Sequence, residues 1–211
     1  MKKIIYTIAI MALFSSLFSI SGDDILSGIK TKIGSIKTFE ADFTQVQIWE
    51  LAEEESKVSG KLYMKDIDIF RVELDNDFIF SDGKTVWRYS SENAQVLIEN
   101  IKDNDNTILP GQLIFEFTDI YEMKDFFEKM EGEKKFYVLN FVSPEGNERF
   151  INKLKVKVNE EFIPVEIACF DLDDNKTTYY LSNSLINQEI APEKFLFTKP
   201  DKVEIIDLRK K

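Results

Sequence analysis

The chain contains no histidine, one cysteine, five prolines and eight glycines in 211 residues. Without histidine, the Ser-His-Asp and Cys-His constellations are excluded, and so are histidine-containing zinc sites. The lone Cys169 has no second thiol to pair with. Set inside Val165–Phe170, it reads as a small buried hydrophobe. No phosphate-binding glycine loop and no nucleophile elbow is present. Asp171, Asp173, Asp174 and Asn175 crowd one turn, but an EF-hand loop needs a glycine and a glutamate where Lys176 and Ser182 stand. That turn reads as a solvated hairpin tip. Among 38 acidic residues nothing marks out a catalytic pair. The expectation is a protein with no enzymatic activity, no metal and no cofactor.

Positive charge is also short. The formal net charge is −11, and removal of the two lysines in the first 21 residues takes it to −13. Such a field disfavours nucleic acid and anionic lipid surfaces as partners. Those first residues read as an export signal. Lys2 and Lys3 precede the apolar run Ile4–Phe18, and Ser19-Ile20-Ser21 offers small residues for cleavage. The run is shorter than the ~20 residues of a spanning helix, and Asp23 and Asp24 follow at once. No cysteine stands near the cut to take a lipid. The expected layout is a signal peptide at 1–21 and one domain at 22–211, with the mature protein in the periplasm.

What the chain has in quantity is phenylalanine, 18 residues of it, set in short alternating runs. Asp23 or Asp24 suits a helix cap, and Leu26, Ile29, Ile33 and Ile36 recur at helical steps. From Phe39 the period becomes two: Phe39, Ala41 and Phe43 form one dry face. Gly60, Leu62 and Met64, then Phe70, Val72 and Leu74, repeat the pattern. Asp82-Gly83 signals a tight hairpin between Phe78–Ser81 and Thr85–Tyr89, and Gln95–Glu99 follows. The pattern breaks from Lys102 to about Met130. There Asp103–Asn106 reads as a loop, Pro110 as a first helical turn, and Leu113, Ile114 and Phe117 fall at helical spacing. The stretch 121–130 fits a short helix or an edge strand. Strands resume at Phe136–Val142, Phe150–Val158, Ile163–Phe170 and Thr177–Ser182, and the apolar runs Phe195–Phe197 and Val203–Ile206 close the series. About ten or eleven strands make a mainly β (α+β) antiparallel meander that must curl to hide its edges. Composition alone does not separate a ligand cavity on its concave face from a well-packed core.

Several segments resemble the outer-membrane lipoprotein carrier family, LolA. They are Phe39–Gln45, Gly60–Lys65, and, most specifically, Ser81-Asp82-Gly83-Lys84-Thr85-Val86-Trp87-Arg88-Tyr89. Thr178–Asn183, Asn187, Phe195–Phe197 with Pro200, and Val203–Asp207 follow in order. The resemblance covers roughly residues 23–207. It implies a single half-open antiparallel β-barrel with short helices as a lid over a hydrophobic cavity. It also implies a periplasmic carrier, or chaperone, for acylated lipoproteins. Such a carrier loads from an inner-membrane ABC-type lipoprotein-releasing complex, delivers to an outer-membrane acceptor, and works as a monomer. Carried over by position, the lipid-binding residues would be Leu62, Met64, Phe70, Val72, Ile79, Leu113, Ile114 and Phe117. Two departures stand out. Asp66-Ile67 replaces the family's frequent Arg-Pro, which leaves Arg71 and Arg88 as cations for any polar latch, and Val72 replaces a frequent tryptophan. The alternative reading is a lipid- or lipoprotein-sensing module of the same fold.

Overall fold

The structure, a computed structural model, describes residues 20–101, 110–146 and 149–209. Residues 1–19 of the expected signal and the expected loop at 103–106 lie outside them.

Ser21 starts the first helix. Its hydroxyl accepts from the Asp24 amide at 3.1 Å, and the Asp24 carboxylate accepts from the Ser21 amide at 3.2 Å, which closes a capping box. The expected cap was Asp23 or Asp24; Asp24 contributes, but from the third helical position. Helix α1 (Gly22–Gly34) then buries Ile25 and Ile29 completely, while Leu26, Ile33 and Ile36 flank that contact. The apolar face is therefore rotated toward Ile25 relative to the expected one.

Twelve strands form one sheet. In chain order they are β1 (Thr38–Trp49), β2 (Glu54–Lys65), β3 (Ile69–Leu74), β4 (Asp77–Asp82), β5 (Thr85–Ser90) and β6 (Gln95–Asn100). After the helical segment come β7 (Glu122–Glu131), β8 (Lys134–Val142), β9 (Ile151–Asn159), β10 (Pro164–Asp171), β11 (Lys176–Ile186) and β12 (Glu204–Asp207). The sheet order is β12-β6-β5-β4-β3-β2-β1-β11-β10-β9-β8-β7. Two antiparallel meanders are thus joined where β1 pairs with β11, Phe43 opposite Leu181 and Gln45 opposite Tyr179. The sheet is open and curled, with the strand alternation directing Phe39, Ala41, Phe43, Leu62, Met64, Phe70 and Val72 to its inner side.

The strand count and two C-terminal expectations need correction, and the open alternative at 121–130 is decided. There are twelve strands rather than ten or eleven. The stretch 121–130 is a strand, β7, at the outer edge of the sheet, and six of its ten residues are charged, which discourages pairing with a second chain. Phe195–Phe197 is not a strand. Pro192–Phe195 makes a 3₁₀ turn, Leu196 is exposed, and Phe197 stacks on Trp87 with ring centroids 5.1 Å apart. This C-terminal segment crosses the outer side of β3–β5, where Lys194 lies 4.4 Å above the Tyr63 ring and 3.0 Å from Glu73. It then reaches β6 from behind, so β12 pairs with β6 in parallel rather than antiparallel.

The link from β6 to β7 has to run from one flank of the sheet to the other. Its described part, 110–120, is helical throughout: a π-helical turn (Gln112–Glu116) leads into α2 (Phe117–Ile120). Leu113, Ile114 and Phe117 are buried in the same cluster as Phe39, Met64 and Leu154, which places the segment, like α1, across the concave face. Gly111 marks the closest approach. A side chain there would begin 2.1 Å from the Ile67 carbonyl oxygen, in the β2–β3 turn.

Candidate apolar cavity under the lid

The inner face is not filled. A cavity of about 260 Å³ lies between the lid segment and the sheet. Leu62, Phe70, Val72 and Ile79 supply its sheet side, and Pro110, Leu113 and Ile114 its lid side. The seam between the two meanders contributes Phe43, Gln45, Tyr179 and Leu181, with Ile167 beside them on β10 and Arg88 reaching in from β5. Gly60 lets the Phe43 ring lie against β2, because a β-carbon there would sit 3.0 Å from that ring and 2.2 Å from the Glu73 carbonyl oxygen.

The eight residues singled out from sequence divide. Leu62, Phe70, Val72, Ile79, Leu113 and Ile114 line this cavity. Met64 instead borders a second cavity of about 390 Å³, between the lid, α1 and the β2–β3 turn. Phe117 lines neither; fully buried, it meets Phe141 edge to face with centroids 5.3 Å apart. Sequence reasoning missed Phe43, Gln45, Arg88, Pro110, Ile167, Tyr179 and Leu181 as lining. A signal existed for Gln45, since the two-residue period that gives Phe39, Ala41 and Phe43 continues to it. No local pattern announces Ile167 or Leu181, which arrive only through the β1–β11 and β10–β11 pairings.

Polar groups are few and specific. Arg88 Nε lies 3.1 Å from Glu99 Oε2, both side chains about a quarter exposed. Arg71 points to the outer face, 2.8 Å from Glu73 and over the Phe78 ring, so of the two cations named as latches only Arg88 lines the cavity. Cys169 sits in the surrounding core, its thiol pushed up to about 12 by burial, too high to ionise near neutral pH. Burial likewise raises the Tyr179 phenol.

The second cavity is charged at its rim. Lys30, Lys37, Asp66, Glu116 and Asp119 border it together with Ile33, Ile36 and Phe115. Lys30 ties α1 to the lid through Asp119 at 2.7 Å. Burial first, and then the nearby Asp68 and Asp119 carboxylates, raise Glu116 above the usual carboxylate range. Asp66 stands where the resemblance leads one to expect arginine, and it adopts a left-handed backbone conformation (φ 67°). The seam under the lid is thus richer in acid than in base.

The profile of the family described as "Outer membrane lipoprotein carrier protein LolA" matches residues 34–198. The chain belongs to the LolA family. It is 27% identical over 215 residues to the outer-membrane lipoprotein carrier proteins of Salmonella paratyphi A and Salmonella typhi, each alignment covering 100% of both chains. Among solved structures it resembles an uncharacterized conserved protein from Thermus thermophilus, with a TM-score of 0.55 at 12% identity, covering 89% of this chain and 99% of that one. That likeness supports the fold alone. No described helix is long and apolar enough to cross a membrane.

Proposed function

We propose that this LolA-family chain is a periplasmic carrier that shelters the acyl chains of lipoproteins between two membranes. In this reading it takes cargo from an ABC-type releasing complex in the inner membrane and surrenders it to an outer-membrane acceptor. It acts as a monomer, without cofactor or catalysis. The observation that carries the reading is an unfilled apolar cavity beneath a helical lid, on a curled sheet of a family named for lipoprotein carriage.

The thermodynamics require such a device. Each methylene moved from lipid to water costs about 0.8 kcal/mol, so three long chains with some 40 methylenes would lose about 30 kcal/mol. The space present corresponds to only about nine water volumes at ~30 Å³ each. Full loading therefore requires the lid to move. Leu62, Phe70, Val72, Ile79, Leu113 and Ile114 form the cavity's primary lining in this reading. Met64 and Phe117 become contacts only once the lid has shifted.

The test is release from proteoliposomes that contain a lipoprotein and its ABC-type complex. With ATP and this protein, lipoprotein is expected in the soluble fraction as a one-to-one complex. Lipoprotein that stays wholly in the membrane fraction would refute the carrier reading.

A further inference from the structure

Three hydrogen-bonding side chains interrupt the otherwise apolar wall of the smaller cavity: Arg88, Gln45 and Tyr179. Gln45 and Tyr179 are direct cross-strand partners at the β1–β11 seam, so their side chains stand together on the inner face. Neither side chain finds a hydrogen-bond partner among the described residues. Arg88 enters from the opposite meander flank, where its Cα partners are Ile79 and Leu97. Its Nε is committed to Glu99, and its two terminal amino groups make no further hydrogen bond to a described residue. A phenol, an amide and a guanidinium on an otherwise apolar wall are the polar groups that a ligand entering the cavity would meet. What they offer in common is donors. Arginine has no acceptor at all, so a cationic head would meet repulsion and an anionic or carbonyl head attraction.

We infer that this cavity selects acyl groups headed by acceptor oxygens, a carboxylate or an ester or amide carbonyl. Arg88 takes the head, and the Gln45–Tyr179 pair donates to a carbonyl. The inference rests on the reading of the cavity as the acyl-chain site and adds its head-group chemistry. Pure hydrocarbon binds there by burial alone. The same donors serve a free fatty acid or the acyl linkages of a lipid-modified protein, and the head groups below separate the two.

The experiment displaces a fluorescent fatty acid from the protein with laurate, methyl laurate or dodecane. The wild type and the variants Arg88→Met, Gln45→Leu and Tyr179→Phe are compared, each checked for its strand signal by circular dichroism. In the wild type, laurate is expected to displace about tenfold better than methyl laurate, because a charge-assisted hydrogen bond is about twice as strong as a neutral one. Arg88→Met should erase that preference. Tyr179→Phe and Gln45→Leu should weaken methyl laurate severalfold. Dodecane should act equally on all four proteins. Because Arg88→Met removes the Arg88 partner of Glu99, the double variant Arg88→Met/Glu99→Gln and the shape-conserving Tyr179→Phe decide the matter if the single variant misfolds. If Arg88→Met/Glu99→Gln keeps the laurate preference and Tyr179→Phe leaves methyl laurate as strong as in the wild type, with dodecane still effective, the head-group assignment is overturned and the acyl cavity stands. If the wild type takes up no probe at all, the cavity reading falls, and this inference with it.

Discussion

Gly111 is where the lid rests on the sheet, and Gly111→Ala probes how firmly it is held. The new β-carbon would start 2.1 Å from the Ile67 carbonyl oxygen and 2.8 Å from its Cγ2. A backbone oxygen cannot swing aside as a flexible side chain would, so the lid must retreat by roughly an ångström. Alanine favours the helix over glycine by up to about 1 kcal/mol, while overpacking of this kind costs about 1–3 kcal/mol. Strain is therefore expected to win by about 1–2 kcal/mol. It is not enough to expel the lid. Burial of Leu113, Ile114 and Phe117 holds it with about 1.5–3 kcal/mol apiece. The expected result is a folded protein whose melting temperature falls by about 2–8 °C and which takes up a fluorescent acyl probe faster than the wild type. Gly34→Ala is the control, because nothing lies within 4 Å of the added atom at the end of α1. If Gly111→Ala melts and loads like Gly34→Ala, the lid does not rest on Ile67 and the gating argument fails.

Leu113→Glu should abolish lipoprotein release from membranes while the far-ultraviolet strand signal survives, because it puts a charge against the apolar lining from the lid side; normal release would refute the lining assignment. Phe197→Ala should destabilise the protein by about 1–2 kcal/mol in urea, from lost stacking and burial. It should also red-shift tryptophan emission as Trp87 loses its cover; an unmoved spectrum would show that the C-terminal segment does not depend on this ring. For Glu116 the folded-state pKa is raised, so the folded protein holds the proton more tightly than the unfolded chain does. Stability is therefore lost as pH rises from the ordinary carboxylate value through the raised one. Glu116→Gln should flatten that part of the pH–stability curve and be the more stable form at neutral pH, and a parallel curve would dismiss the effect.

The inner side of the first meander was readable because one face of each strand is dry and the other wet. Phe39-Ala41-Phe43 and Phe70-Val72 alternate with charged residues, and Gly83 with its φ of +89° closes its hairpin as the Asp-Gly pair announces. The outer side was less readable, since Tyr63 and Phe80 are buried there too. Their cover comes from Lys194 and Phe197, more than a hundred residues away, and no periodicity in β2 or β4 can announce a distant strap. The same limit explains Phe195–Phe197. Three apolar residues in a row look like strand, but a proline at the start of a 3₁₀ turn and the demand for cover over Trp87 decide otherwise. Lid residues Leu113 and Ile114 were legible from helical spacing. The seam that completes the cavity was not, because the β1–β11 register is a long-range choice.

The energies on the two sides of the lid fix what kind of binding this cavity can support. The three lid side chains bury about 5–9 kcal/mol in all, whereas a fully lipidated cargo gains about 30 kcal/mol on leaving water. In the proposed carrier reading the cargo comes from a membrane, so the water-transfer energy keeps loaded chains from escaping to water and does not itself open the lid. An acceptor need not compete with water, only with a partly polar, incompletely filled wall. The like charges of Asp66, Asp68 and Glu116 weaken the lid's closed position, while the Lys30–Asp119 pair holds it. In that reading the releasing complex supplies the energy of loading, and release to a more apolar host needs no energy input from the carrier itself. Neutralising Asp66 and Glu116, with the Lys30–Asp119 pair kept, would shift the balance toward the closed state and, in the carrier reading, slow loading.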